Sequence, residues 1–258
     1  MKSVYDQSEA ANRYDSARSL PEQSQALWLN ILKSLIPKQK IGRILDLGCG
    51  TGRFTSDLGK AFECPVIGVE PSRAMLSLVP NRHSRDIEWR EGQAENIPLE
   101  NNEVDLVFMS QVMHHLVHPE RAFREINRVL TSAGYLVIRN STREHLEDFE
   151  WLRFFPGAFE IETKRLPSQK ELTESVCRGS FEPVEQQTVF QLFADSYTEY
   201  FEKISRRGLS ALIAISDEAF QNGLEKFQNW VIRQPQTRQI YEPVNLFVFQ
   251  KIRNVFDV

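Results

Sequence analysis

Cysteine is scarce in this sequence, in which Cys49, Cys64 and Cys177 are the only three among 258 residues. An odd number at wide spacing forms neither the disulfide framework of a small secreted domain nor the ligand cluster of a structural metal site. The sequence therefore predicts no disulfide and no bound metal. Cys49 lies between two glycines, where a small side chain is the simple explanation.

The sequence also lacks a basic surplus and any long apolar run. Its formal net charge is −4, which leaves no excess of cations to neutralise a nucleic-acid backbone, so we expect no nucleic-acid partner. A small molecule or a peptide is the more plausible ligand. No run spans a bilayer, and the first residues lack the apolar segment of a signal peptide. We expect no membrane association and a cytoplasmic setting, and the oligomeric state stays open.

Short apolar runs alternate with amphipathic segments in the first half of the chain. Apolar residues recur at helical spacing from Pro21 to Ile36, which predicts a helix. Further helices are expected at 54–62, after Pro71 and at 119–130. The predicted strands are Arg43–Leu47, Val66–Glu70, Ile87–Arg90, Val104–Met109 and Tyr135–Ile138. This alternation is typical of a parallel sheet covered by helices on both faces.

The pattern changes after Arg139, where a dense aromatic segment precedes further helices and strands. The elements predicted there are a helix at 168–177, a strand at 184–193, helices at 197–204 and 217–231, and a strand at 245–249. We interpret residues 1–258 as one domain, with an amino-terminal helical cap (1–37) and a core of about 38–142. The remainder, 143–258, is expected to supply a substrate lid and the last strands.

The stretch from Ile44 to Phe54 reads ILDLGCGTGRF, an apolar run followed by three glycines on alternate positions. Gly48, Gly50 and Gly52 would allow a tight turn and a close approach of the backbone to a ligand. We therefore expect a small-molecule site at the carboxyl end of the first strand. The alternative is an ordinary strand-to-helix turn that happens to hold three glycines.

Acidic residues end the first two predicted strands, at Asp46 and Glu70. A carboxylate at the tip of the second strand can accept hydrogen bonds from both hydroxyls of a ribose. The alternative for Glu70 is an acid that interacts with the dipole of the next helix. The glycine spacing is G-x-G-x-G, whereas dinucleotide-binding enzymes carry G-x-G-x-x-G, so the spacing disfavours a nicotinamide cofactor.

Several ordered motifs together resemble the class I S-adenosylmethionine-dependent methyltransferases, in their small-molecule, type 11 branch. The matching segments are Ile44–Phe54, Val66–Ser72, Glu91–Leu99, Val104–Leu116 and Glu125–Leu136. The resemblance implies a Rossmann-like, seven-stranded, mostly parallel sheet with helices on both faces and a helical lid. It also implies S-adenosyl-L-methionine as cofactor, S-adenosyl-L-homocysteine as product and a small-molecule acceptor.

The resemblance also implies roles for individual residues of the cofactor site. The turn of Gly48, Cys49, Gly50 and Gly52 would pass under the methionine part of the cofactor, whose amino group Asp46 would orient. Glu70 would hold the ribose. The residues expected around the adenine or at the tip of the fourth strand are Pro71, Ser72, Met75, Gln93, Ala94, Ser110 and Gln111. Gln93 replaces the usual aspartate, and its amide can both accept from and donate to the adenine.

An amino-terminal pair, Tyr14 and Arg18, stands where many relatives bring a segment over the cofactor. An arginine in that position could pair with the methionine carboxylate. The alternative is a simple solvated face, and the pattern does not separate the two.

Candidates for the acceptor side come from two regions. His114 and His115 follow the fourth strand, and one of them could act as a general base; they could equally be a packing feature of the loop. His145 is a weaker candidate for the same role. The expected acceptor-binding residues are Trp151, Arg153, Phe155 and Arg165, although the helical spacing of the aromatic residues suits core packing equally well.

The sequence thus predicts a methyltransferase that acts on an oxygen or nitrogen atom of a small molecule. Two alternatives stay open. One is a module that binds S-adenosylmethionine without chemistry, and the other, less favoured by the glycine spacing, is a nicotinamide-dependent oxidoreductase.

Overall fold

The computed structural model describes residues 20–79 and 86–253. Tyr14 and Arg18 of the expected amino-terminal cap lie outside these residues. Seven strands form one sheet in the order β3-β2-β1-β4-β5-β7-β6. They are β1 (Ile44–Leu47), β2 (Val66–Glu70), β3 (Ile87–Glu91), β4 (Val104–Ser110), β5 (Leu130–Asn140), β6 (Phe181–Ala194) and β7 (Ile240–Lys251). The predicted seven-stranded, Rossmann-like sheet is thereby confirmed.

Strand β1 lies in the middle of the parallel part of the sheet. Ile44 pairs with Val66 of β2 on one side and with Leu106 of β4 on the other. All four residues of β1 and all five of β2 are buried, as expected for strands covered on both faces. Because these strands run in parallel, their carboxyl ends meet at one edge of the sheet.

Nine α-helices surround the sheet in the described residues. They are α1 (Glu22–Leu35), α2 (Thr55–Phe62), α3 (Arg73–Leu76), α4 (Pro119–Val129), α5 (Pro156–Arg165), α6 (Gln169–Cys177), α7 (Tyr197–Ser205), α8 (Ser210–Ala214) and α9 (Asp217–Val231). Two apolar cores lie on opposite faces of the sheet, one under α4 and α6 and the other under α1 and α2. None of the described helices has the length and hydropathy needed to cross a bilayer.

Strands β6 and β7 form an antiparallel ribbon that extends beyond the rest of the sheet. The last pair between β5 and β7 is Asn140 with Asn245. Beyond that point, residues 240–244 of β7 continue to pair with residues 189–194 of β6. The ribbon therefore stands above the carboxyl edge of the parallel strands as a wall.

Two insertions complete the structure next to this wall, and we call them together the lid (residues 141–180 and 195–239). Apart from Leu172 and Val176 of α6, which pack on the sheet, the buried apolar residues of the lid share one aromatic core, in which Phe155 stacks on Phe220 and Tyr200 packs edge-on against Phe227. Helix α9 approaches this core closely at Gly223. A Cβ atom there would lie 2.5 Å from Cδ1 of Phe155 and 2.7 Å from the carbonyl oxygen of Phe154.

Several element boundaries differ from the sequence-based expectation. Strand β5 begins at Leu130 and not at Tyr135, because the chain enters the sheet as soon as α4 ends at Val129. Helices α5 and α8 were not predicted. Helix α5 begins with Pro156 and Gly157, which in sequence are typical of a loop, yet Pro fits the first turn of a helix, where its missing N–H costs nothing.

We expect the substitution Gly223→Val to destabilise the protein by roughly 1–3 kcal/mol, because the added atoms overlap the Phe155 ring and a backbone carbonyl. The matched control is Asn222→Val, which introduces the same side chain at an exposed position of the same helix. Chemical denaturation monitored by tryptophan fluorescence measures both. Equal unfolding free energies for the two variants would contradict the close approach of α9 to the lid core.

Candidate active site

The turn after β1 has the backbone conformation that its glycines were expected to allow. Gly48, Gly50 and Gly52 have φ angles of +72°, +58° and +84°, a region that side chains with a Cβ atom rarely adopt. The Gly48 N–H donates to the carbonyl of Val69 at 2.7 Å, which ties the turn to the end of β2. The turn thus lies at the carboxyl edge of the sheet, between two strand ends.

Two of these glycines are also required by the side chains packed against them. A Cβ atom on Gly48 would lie 2.5 Å from a methyl group of Val112, and one on Gly52 would lie 2.4 Å from the ring of Trp89. Both distances are shorter than any real contact of this kind. The glycine pattern therefore reflects protein packing beneath the turn as well as access for a ligand.

Glu70 connects the two turns that form the site. Its Oε2 atom accepts a hydrogen bond from the Gly50 N–H at 3.0 Å, and its Oε1 atom accepts one from the Ser72 N–H at 3.0 Å. The residue is buried. Since each of its two oxygens accepts a backbone hydrogen bond, the carboxylate is held in a fixed orientation.

Asp46 lies deeper in the site, where it is 2% exposed. Its Oδ2 atom accepts a hydrogen bond from the Thr55 hydroxyl at 2.6 Å. Burial, followed by the nearby charge of Glu70, raises the pKa of this carboxyl to about 7, although the Thr55 bond opposes the shift. Asp46 therefore titrates near neutral pH, so a nearby cation would change its ionisation.

The residues expected around the adenine lie along the same edge of the sheet. Ser72 caps α3 and accepts a hydrogen bond from the Met75 N–H at 3.3 Å. Pro71 is exposed and Met75 is buried. The Gln93–Ala94 turn follows β3, whose last residue, Glu91, pairs in register with Glu70.

Ser110 and Gln111 end β4 on the other side of the glycine turn. Gln111 has a φ angle of +60°, which is uncommon for a residue with a side chain. Hydrogen bonds hold it there: its N–H donates to the carbonyl of Arg139, and its side chain donates to the Ser141 hydroxyl at 3.1 Å. Backbone held in this way is frequent at ligand sites.

A cavity of about 710 Å³, counted with its open mouth, lies between the sheet edge, the ribbon and the lid. Arg53 and Gln111 line its lower end, next to the glycine turn. The ribbon contributes Gln191, Phe193, Glu242 and Val244, which alternate along β6 and β7 and share one face because Gln191 pairs with Glu242. The other lining residues are Leu20, His114, Arg139, Ser141, Leu146, Phe149, Trp151, Leu152, Glu162, Arg165, Leu166 and Leu209.

The candidate bases fall in different places. His114 and His115 form a 3-10 turn with Met113, and their rings lie 4.1 Å apart. His114 lines the cavity, whereas His115 is exposed. His145 does not line the cavity; its ring nitrogens lie 2.9 Å from Oδ2 of Asp148 and 3.2 Å from Oγ1 of Thr188.

Only some of the expected acceptor-binding residues line the cavity. Trp151 and Arg165 line the cavity. Phe155 does not, because its ring is fully buried in the lid core against Phe220. Arg153 is exposed and does not line the cavity either. Phe155 thus follows the alternative of core packing that its helical spacing left open, and only the fold of the lid decides which of the other candidates line the cavity.

A buried cation at the floor of the cavity was missed by the sequence analysis. Arg139 is 3% exposed; its guanidinium donates to the Ser110 hydroxyl at 3.0 Å and to the Gln191 side chain, and lies 4.6 Å from the centre of the Trp28 ring. A charged residue that directly follows the apolar run at 135–138 is the signal that could have revealed it.

Comparisons with known proteins agree with this geometry. A family model described as a methyltransferase domain matches residues 45–138. An uncharacterized methyltransferase of Mycobacterium tuberculosis is 38% identical over 111 residues, which are 43% of this chain and 44% of that protein. Across three curated relatives, the matched segment spans between 24% and 55% of their length.

Solved structures extend the likeness to nearly the whole chain, at the level of fold. A protein of Anabaena variabilis named as a methyltransferase from an antibiotic biosynthesis pathway has a TM-score of 0.73 at 20% identity, and covers 92% of this chain and 100% of its own. A phosphoethanolamine N-methyltransferase of Haemonchus contortus, solved with S-adenosylhomocysteine, has a TM-score of 0.60 at 19% identity and covers 94% of this chain and 57% of its own. Residues 45–138 therefore match a methyltransferase-domain family, and the fold around them is one that solved methyltransferases share.

Proposed function

We propose that this protein transfers the methyl group of S-adenosylmethionine to an oxygen or nitrogen atom of a small-molecule acceptor. The observation that carries the proposal is the fixed carboxylate of Glu70, which lies beside the glycine turn and bonds to the amides of Gly50 and Ser72. The cavity begins next to this turn, at Arg53 and Gln111. A cofactor site and an acceptor site are thus adjacent, as group transfer requires.

The residues present suit the cofactor. The Glu70 carboxylate ends β2, the position from which a carboxylate can accept hydrogen bonds from both hydroxyls of a ribose. Asp46 supplies a second acid near the turn, suited to an ammonium group directly or through a water molecule. Met75 and Ala94, both buried, border the position expected for the adenine. Tyr14 and Arg18 remain predicted contributors from outside the described residues.

The bound cofactor supplies the electrophile, a methyl group on a positively charged sulfonium. The protein has then to align the acceptor with that methyl group and to exclude water. The lid and the ribbon enclose the acceptor, and the hydrogen bonds of Gln111 fix the wall between the two sites. His114 is the candidate base on the cavity wall, for acceptors that must lose a proton.

The first prediction concerns Glu70. We expect Glu70→Ala to weaken the binding of S-adenosylhomocysteine by about 10- to 100-fold, since both ribose hydroxyls lose a charged acceptor. Glu91→Ala is the matched control, because Glu91 pairs with Glu70 in register but is exposed and pairs with Arg73. Isothermal titration calorimetry measures the affinities.

Unchanged affinity in Glu70→Ala would refute the placement of the ribose. A wild-type protein that binds NADH but not S-adenosylhomocysteine in the same calorimeter would refute the proposed function as a whole.

The second prediction concerns pH. Because the Asp46 carboxyl has a pKa of about 7, it is mostly protonated at pH 6 and mostly ionised at pH 8. The ammonium group of S-adenosylhomocysteine favours the ionised form, so its affinity should rise up to about tenfold from pH 6 to pH 8, with release of a proton.

Asp46→Asn should bind more weakly at pH 8 and should lose this pH dependence. Calorimetry in buffers of different ionisation enthalpy counts the protons released. Parallel pH profiles for the two proteins would show that Asp46 does not interact with the ammonium group.

A further inference from the structure

Half of the side chains that line the acceptor cavity are apolar. Of its eighteen lining residues, these nine, which we call the apolar walls, are Leu20, Leu146, Phe149, Trp151, Leu152, Leu166, Phe193, Leu209 and Val244. They come from the amino-terminal side, both parts of the lid and the ribbon, so they surround the cavity on several sides. All but Leu20 are less than a tenth exposed. A ligand that fills this space must displace water from these apolar side chains.

The charged residues of the cavity are already bonded to protein partners. Arg165 donates to the Glu162 carboxylate and to the Ser210 hydroxyl at 2.7 Å. Arg139 donates to Ser110 and Gln191. Glu242 accepts a bond from the buried hydroxyl of Tyr200 at 3.4 Å. A charged acceptor would have to compete with these bonds, whereas an apolar one would leave them intact.

The apolar walls are also held in place. The aromatic core of the lid supports Trp151, whose ring packs 6.0 Å from that of Phe155. The ammonium group of Lys203 donates to the carbonyl of Phe193 and lies 5.0 Å from the centre of its ring. Walls fixed in this way form the cavity before the ligand arrives, which lowers the cost of binding a rigid molecule.

On these grounds, and resting on the proposed methyltransferase function, we propose that the acceptor is a predominantly apolar, ring-bearing molecule. Its rings occupy the space between Phe149, Leu209 and Val244. Its nucleophilic oxygen or nitrogen points to the polar floor near Gln111 and His114. Small polar acceptors, such as amino acids and phosphorylated amines, would leave the apolar walls in contact with water. This proposal excludes them.

The test uses the full chain saturated with S-adenosylhomocysteine and four probes. Three of them share a naphthalene ring system and differ in the polar group, namely 2-naphthol, 2-naphthoic acid and 2-naphthylmethylamine. The fourth is glycine, which has no apolar body. We expect at least one naphthyl probe to bind at least about tenfold more tightly than glycine in calorimetric titration.

Variants of cavity residues test whether the naphthyl probe binds in this cavity. Leu209→Trp would fill the cavity and should weaken naphthyl binding by at least about tenfold, with unchanged affinity for S-adenosylhomocysteine. Ile232→Trp, at a position 68% exposed, is the matched control. Phe149→Ser removes apolar surface from the cavity without adding side-chain bulk, and it should also weaken naphthyl binding. It replaces Leu209→Trp in the test if the Leu209→Trp protein does not fold.

Three results would overturn the acceptor class: glycine binding more tightly than every naphthyl probe, no binding of any of them, or full naphthyl affinity in both cavity variants. Each of these results leaves the methyltransferase function standing if S-adenosylhomocysteine still binds. Loss of S-adenosylhomocysteine binding by the wild-type chain would contradict the proposed function instead, so the two failures are distinguishable.

Discussion

The interaction on which the site depends is the pair of hydrogen bonds that the Glu70 carboxylate accepts from Gly50 and Ser72. These bonds join the turn after β1 to the turn after β2, in addition to the hydrogen bonds that Gly48 and Cys49 donate to the carbonyl of Val69. They compensate part of the cost of burying a carboxylate. They also hold the carboxylate in one orientation before any ligand binds, which lowers the cost of reorganising the acid on binding.

This arrangement has an electrostatic consequence for Asp46. Burial alone disfavours its charge, and the neighbouring Glu70 adds repulsion, so its pKa rises to about 7. The folded state keeps a proton on this carboxyl that the unfolded state loses near pH 4. The contribution of Asp46 to the free energy of unfolding therefore falls as the pH rises from about 4 to 7. A bound cation would offset that loss. At neutral pH, Asp46 thus lowers the stability of the isolated protein, and a complex with a cationic ligand recovers part of that stability.

The sequence predicted the core more accurately than the lid, for a physical reason. Strand β2 was predicted with its observed bounds because a short apolar run ends in an acid and is followed at once by Pro71. Helix α6 was predicted with Ser168 as its N-cap, and the structure shows that Ser168 forms a capping box with Glu171. Both signals are local.

The position of Phe155, by contrast, is decided by Phe220 and Gly223, more than sixty residues further along the chain, and no periodicity near Phe155 contains that information. The sequence therefore predicted the elements at the edge of the sheet more reliably than the positions of side chains in the lid.

The floor of the cavity shows why a distant contact also decides its chemistry. Gln191 on β6 accepts hydrogen bonds from the Trp28 indole at 2.9 Å and from Arg139, so helix α1, strand β5 and the ribbon meet at one amide oxygen. Arg139 is held there by the Trp28 ring as well.

Because these partners fix the guanidinium of Arg139, it gives the floor of the cavity a permanent positive charge that cannot move out to solvent. A nucleophile that carries or develops negative charge, such as an oxygen that loses its proton, would be stabilised above this floor, whereas a cationic amine would be disfavoured until it is neutral. For the methyl transfer that we propose, the contacts that hold Arg139 in place thus favour an oxygen nucleophile or a neutral nitrogen as the acceptor atom.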